Sequence, residues 1–199
     1  MRNRAPRKIR PAASALALLL LSAGAAWAGP EDAGKRPRTD ARVVKDLTAR
    51  NEAAASRAAG EVRLRGARMI PHLMKLKGDR RCFFGDMALG SHVGGSFRLA
   101  PANGRGCDGE SSSSTVEVAA LFLIEAVYRD DLEFAQGATL AQWDARGEQR
   151  TDVKLNGREL IERAWADAER WFKEFEREGL DALRARGRAP FDKARVGFY

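Results

Sequence analysis

Between Arg81 and Thr115 the chain reads RCFFGDMALGSHVGGSFRLAPANGRGCDGESSSST, which gathers both cysteines, one of the two histidines and four consecutive serines. Thiol, imidazole, hydroxyl and carboxylate groups are the parts of nucleophilic catalysis, in which a base activates the attacking atom. One reading is therefore a small hydrolase of the cell envelope working from the 82–107 loop, with His92 as base. The spacings do not complete such a set. A cysteine nucleophile needs a free thiolate and a third, orienting group that the sequence does not supply. The serines lack the G-x-S-x-G of a nucleophile elbow. GSHVGG lacks the Lys and Ser/Thr that end a phosphate loop. His72, His92 and the cysteines fall in no zinc-finger spacing, with neither a CxxC nor an HxxxH among them. No catalytic residue, metal ligand or cofactor is assigned.

The amino end decides what the cysteines do. MRNRAPRKIR carries five basic residues and no acid, and PAASALALLLLSAGAAWA follows as an apolar run closing on Ala26, Trp27 and Ala28. Positive region, short apolar core and small-x-small site are the parts of a secretory signal peptide, so residues 1–28 read as a signal peptide cleaved after Ala28. The run spans about fifteen residues where a membrane-spanning helix needs about twenty. No cysteine stands near the cleavage site to carry a lipid, and no Arg-Arg pair suggests twin-arginine export. The expected location is the periplasm or the medium, with no stable membrane anchor.

Export makes a Cys82–Cys107 disulfide the expected state of the pair. It would close a loop of 25 steps, worth about 3.5 kcal/mol in the chain-entropy model. Six glycines (Gly85, Gly90, Gly94, Gly95, Gly104, Gly106) and Pro101 lie inside that loop, a composition too flexible to hold itself. The stapled loop carries His92, Phe97, Arg98 and Arg105 as a candidate contact surface.

Of the 35 basic residues, Arg2, Arg4, Arg7, Lys8 and Arg10 leave with the signal peptide, so 30 face 27 acidic residues and the mature net charge is +3. The high isoelectric point is largely a targeting feature and points to no nucleic acid. Residues 29–39, GPEDAGKRPRT, are polar and without periodicity and read as a disordered lead. Residues 40–199 read as a single domain, long enough to bury a core of its own.

The elements that must position the loop are helices. Val43, Val44, Leu47, Ala54, Ala55 and Ala58 recur at three and four, predicting a helix over 40–60 that stops on Gly60. EVRLRGARMIPHLMKLKG continues the pattern, with a kink or a fresh start at Pro71. S-T-V-E at 114–117 spells a capping box before the most apolar stretch, 116–128, the predicted central helix. Glu117 and Glu125 are its only charges; eight residues apart, they lie about 80° from each other on the helix, one polar stripe read as facing solvent. Residues 130–155 read as a long connection with room for one short helix. N-G-R-E at 156–159 forms a second box. Behind it Leu160, Ile161, Ala164, Trp165, Ala168, Trp171, Phe172 and Phe175 make an aromatic stripe read as core, ending at Gly179. A short helix, 180–186, and a tail ending Val-Gly-Phe-Tyr complete the chain. The expected fold is all-α, a compact domain of four to five helices with a long disulfide-closed loop.

VRLRGARMIPHLMKLKGDRR followed, after the loop, by STVEVAALFLIEAVYR resembles the helical units of HEAT-type repeat proteins, which pair two antiparallel helices and often open on Ile-Pro-x-Leu. The resemblance covers roughly a third of the mature chain and carries no self-similarity at the ~40–47-residue period of an array. It implies helical hairpins and a scaffolding role, and it transfers no catalytic residue. The expected function is an exported, soluble binding or structural module of the bacterial cell envelope, its partner another envelope protein.

Overall fold

The computed structural model describes residues 37–84, 114–135 and 138–198. They are mostly helical: α1 (Asp40–Leu47), α2 (Glu52–Arg65), a 3₁₀ turn (Gly66–Met69), α3 (Ile70–Met74), α4 (Val116–Arg129), α5 (Arg158–Glu178) and α6 (Leu180–Ala185). Two three-residue strands, β1 (Leu140–Gln142) and β2 (Val196–Phe198), pair antiparallel with Leu140 opposite Phe198.

The helix expected over 40–60 is two helices. Thr39 caps α1 and the Asn51 side chain accepts from the Ala54 amide at 2.9 Å to cap α2; Asn is among the strongest N-caps because its oxygen satisfies an orphan amide of the first turn. Gly60 therefore lies inside α2, and the stop falls at Gly66, whose φ of 63° and ψ of −141° only glycine adopts without strain. Pro71 opens a fresh helix in the first turn of α3, where its missing N–H costs nothing. Arg65, nearly buried on α2, joins α1 to α2 through Asp40, Glu61 and the Arg38 carbonyl. Arg38 and Thr39, read as lead, are thus tied into the domain.

α4 is the axis of the core: every residue from Val116 to Val127 is buried. α2 and α3 cover one side, α5 another. Fully burying each large apolar side chain of α4 is worth about 1.5–3 kcal/mol, which is why this helix needs no amphipathic face. Its start differs from the expected box. Thr115 is the N-cap, Ser114 donates its hydroxyl to the Ala138 carbonyl at 2.5 Å, and Glu117 turns away from the helix end. Its end is closed by Asp130 in the left-handed region and by Arg184 of α6, which donates to the Val127 and Tyr128 carbonyls at 2.7 Å each. These are orphan acceptors at the negative end of the helix dipole, where a guanidinium is favoured.

The second expected box is also rearranged. Gly157 is the cap residue of α5 without a side-chain bond, because Asn156 spends its side-chain oxygen on the Leu140 amide at 2.7 Å. The aromatic stripe faces the core: Trp165 and Trp171 are buried, Phe172 and Phe175 partly so. Trp171 donates its indole N–H to the Arg188 carbonyl at 2.9 Å and stacks on Phe175. The connection after α4 holds β1 rather than a helix, and the tail is β2, so the small sheet is an addition to the all-helical expectation.

Candidate binding cleft

Three carboxylates are buried among the described residues, Glu117, Glu125 and Asp167. Their surroundings sort them. Glu117 is fully used, accepting from the Gly78 amide at 3.1 Å and from Arg158 at 2.9 Å, so it fastens the turn after α3 and the start of α5 to α4. Asp167 of α5 is fully used as well. One of its oxygens accepts from the Lys193 and Ala194 amides at 2.8 and 3.0 Å, the other from Arg170 at 3.0 Å. It holds the carboxyl-terminal segment down on α5. Arg188 adds a second tie to Glu174, each arm at 3.3 Å, and holds the Glu174 carboxyl below its usual range.

Glu125 is different. It is 5% exposed; its Oε1 accepts from Nε and Nη2 of Arg129, one turn on, at 2.8 and 2.6 Å, while Oε2 has no hydrogen-bond partner. A buried oxygen left open costs about 1–3 kcal/mol, so such an atom calls for an explanation. Burial pushes the Glu125 carboxyl above its ordinary pKa, Arg129 opposes the push, and the nearby Asp192 adds to it. The expectation that Glu125 faces solvent is overturned. The tail that the sequence left undocked lies over this part of α4, and with it a cleft of ≈ 370 Å³ forms between them.

Aromatic side chains form part of the cleft wall, beside four charged ones. Phe134, from the turn after α4, stacks on Phe122 at 4.8 Å and carries the Arg129 guanidinium over its ring at 5.1 Å. Phe198 meets Phe122, Phe134 and Phe191 edge-on. Trp143, at the end of β1, closes the far side against Gly197, where an added Cβ would sit 3.0 Å from the indole nitrogen. Among the described residues that indole N–H makes no hydrogen bond. Of the charged groups lining the cleft, Arg129 is held by Glu125, and Asp192 accepts from the Ala189 amide at 2.8 Å. Arg195, exposed and at φ 49°, has no side-chain partner among the described residues.

The sequence reading placed its chemistry elsewhere. Cys82 pairs as an isolated bridge with Thr115; the Phe83 amide donates to the Ser114 carbonyl at 2.9 Å and the Val116 amide to the Arg81 carbonyl at 2.8 Å. The two chain segments that lead into and out of the expected loop therefore lie side by side. Cys107 and the contact residues His92, Phe97, Arg98 and Arg105 lie outside the described residues. His72 sits half-buried on α3. Among the described residues no three His, Cys, Asp or Glu side chains group as metal ligands, and no helix is long and apolar enough to cross a membrane. What sequence reasoning missed is the cleft: Glu125 interrupts a run of apolar residues, which was the available signal, whereas Phe134, Trp143 and Phe198 gave none. No protein-family model, curated protein or solved structure matches the chain, so the chemistry of the cleft carries the functional reading.

Proposed function

We propose that this chain is an exported binding module of the bacterial cell envelope, and that its ligand enters the cleft at the carboxyl end of α4. The observation that carries the reading is the open Oε2 of Glu125, buried beneath an aromatic wall. A concave site that sets a few convergent polar groups against aromatic side chains can hold a small ligand. One carboxylate held by one arginine positions and recognises, and the described residues supply no nucleophile beside it, so binding is favoured over hydrolysis. The amino-terminal sequence supports export. The pairing of residues 81–83 with 114–116 supports a Cys82–Cys107 disulfide, because it brings the chain to the neck of a closed loop. His92, Phe97, Arg98 and Arg105 on that loop form the contact surface toward another envelope protein, in keeping with the HEAT-like resemblance.

Two measurements test this. The intact mass of the exported chain, unreduced and treated with a thiol alkylator, is expected to equal Gly29–Tyr199 less two hydrogens with no alkylation. An uncut or alkylated chain would overturn the export or disulfide part. For the cleft, the indole N–H resonance of Trp143, assigned by Trp143→Phe, is followed against free amino acids, simple sugars and small carboxylates. A saturable shift weakened in Arg195→Ala is expected; the absence of any shift across the panel refutes the cleft as a binding site.

A further inference from the structure

The ligand class can be read from which groups in the cleft are already satisfied, an inference that rests on the binding reading above. Four charged side chains line it: Glu125, Arg129, Asp192 and Arg195. Arg129 is engaged by Glu125, and Asp192 by the Ala189 amide and, at 3.5 Å, by Arg188. Two positions are left with hydrogen-bonding capacity to spare: Oε2 of Glu125, a carboxylate whose charge Arg129 already pairs, and the guanidinium of Arg195. A purely anionic ligand would satisfy Arg195 and offer no donor to the open oxygen of Glu125. A purely cationic one would do the reverse against two guanidiniums. A neutral sugar would leave the Arg195 guanidinium without a counterion.

We propose that the cleft takes a zwitterion, a free α-amino acid with a large apolar side chain, its ammonium on Glu125 Oε2 and its carboxylate on Arg195. The indole N–H of Trp143 is a further donor for the carboxylate, and Phe134, Phe191 and Phe198 receive the apolar side chain. The cleft volume, ≈ 370 Å³, stands near the lower end of small-molecule pockets, about 300–1,000 Å³, which suits one residue and not an oligomer. The ammonium also answers the otherwise open buried oxygen and, as a second cation beside Arg129, favours the ionised carboxylate against its burial.

The test uses the mature, exported chain and four probes: L-phenylalanine, its amide, its N-acetyl derivative and glucose. Binding is read by the Trp143 indole shift and by calorimetry. L-Phenylalanine is expected to bind, and each half-blocked analogue to bind at least about tenfold more weakly, the size of one lost charge-assisted contact. Arg195→Ala, at an exposed position that does not threaten the fold, should bring phenylalanine and its amide to equal affinity. Glu125→Gln should do the same for phenylalanine and its N-acetyl derivative. Equal binding of phenylalanine and a blocked analogue to the unaltered chain, or a response to glucose or to one blocked form alone, overturns the zwitterion while leaving the cleft a binding site. Silence of Trp143 toward all four overturns the ligand class and the cleft reading together.

Discussion

Asp167 decides whether the cleft has a wall, and its replacement by alanine can be worked through in numbers. The side chain is fully buried and one oxygen takes both the Lys193 and Ala194 amides, at 2.8 and 3.0 Å. Hydrogen bonds to a charged acceptor contribute about 1.5–3 kcal/mol each, so their joint loss is about 3 kcal/mol at the low end. The bond to Arg170 adds little, since that arginine is 55% exposed and regains water. The amides also regain water if the segment lifts, which argues for the low end of the range. Asp167→Ala should therefore cost about 3 kcal/mol in urea unfolding, seen as a lower midpoint at unchanged slope. Asp167→Asn keeps an oxygen for the two amides but loses the charge, and neutral bonds are worth about 1 kcal/mol each; its cost should be about 1–2 kcal/mol. Amide hydrogen exchange in Val196–Phe198 should quicken in both, more so in the alanine form. An alanine variant within about 1 kcal/mol of the unaltered protein, or an asparagine variant as damaging as alanine, would refute the view that this carboxylate pins the tail.

Two glycines, one inside α2 and one just past its end, should respond with opposite signs. Gly60 is interior to the helix and an added Cβ meets nothing within 4 Å, so Gly60→Ala should stabilise by about 0.5–1 kcal/mol; Gly66→Ala, at φ 63° and ψ −141°, should cost about 1–3 kcal/mol. Equal effects in thermal or urea unfolding would show that the helix boundary is misplaced. Glu125→Gln should be increasingly favourable to stability as pH rises. The Glu125 carboxyl is raised above its unfolded value by burial and by Asp192, against Arg129, so the native state binds its proton more tightly and this group's contribution falls as pH climbs through the folded pKa. Melting temperatures from about pH 4 to about pH 8 should separate in favour of glutamine; a gap that narrows with rising pH contradicts the burial argument.

Local signals in the sequence were reliable where one element answered to one pattern. The run at 116–128 and the stripe ending at Gly179 are α4 and the core-facing side of α5, and Pro71 opens a helix as its chemistry requires. The caps failed because other parts of the chain competed for the same atoms: Glu117 went to Gly78 and Arg158, and Asn156 to the Leu140 amide. Strands of three residues show no alternation to read, and β1 finds its partner only at the far end of the chain.

Glu125 shows the same limit at the site itself. Helical spacing gives the direction in which a side chain leaves its own axis. It does not give what lies in that direction. The stripe shared with Glu117 was expected to face water because it is charged, yet one end is covered by Arg158 and the turn at Gly78, the other by a tail whose hold depends on Asp167 and Arg188. The burial of Glu125, its raised pKa and its open oxygen are therefore consequences of where residues 189–198 dock. If that docking is loosened by Asp167→Ala, the binding signal at Trp143 should weaken along with the stability of the tail.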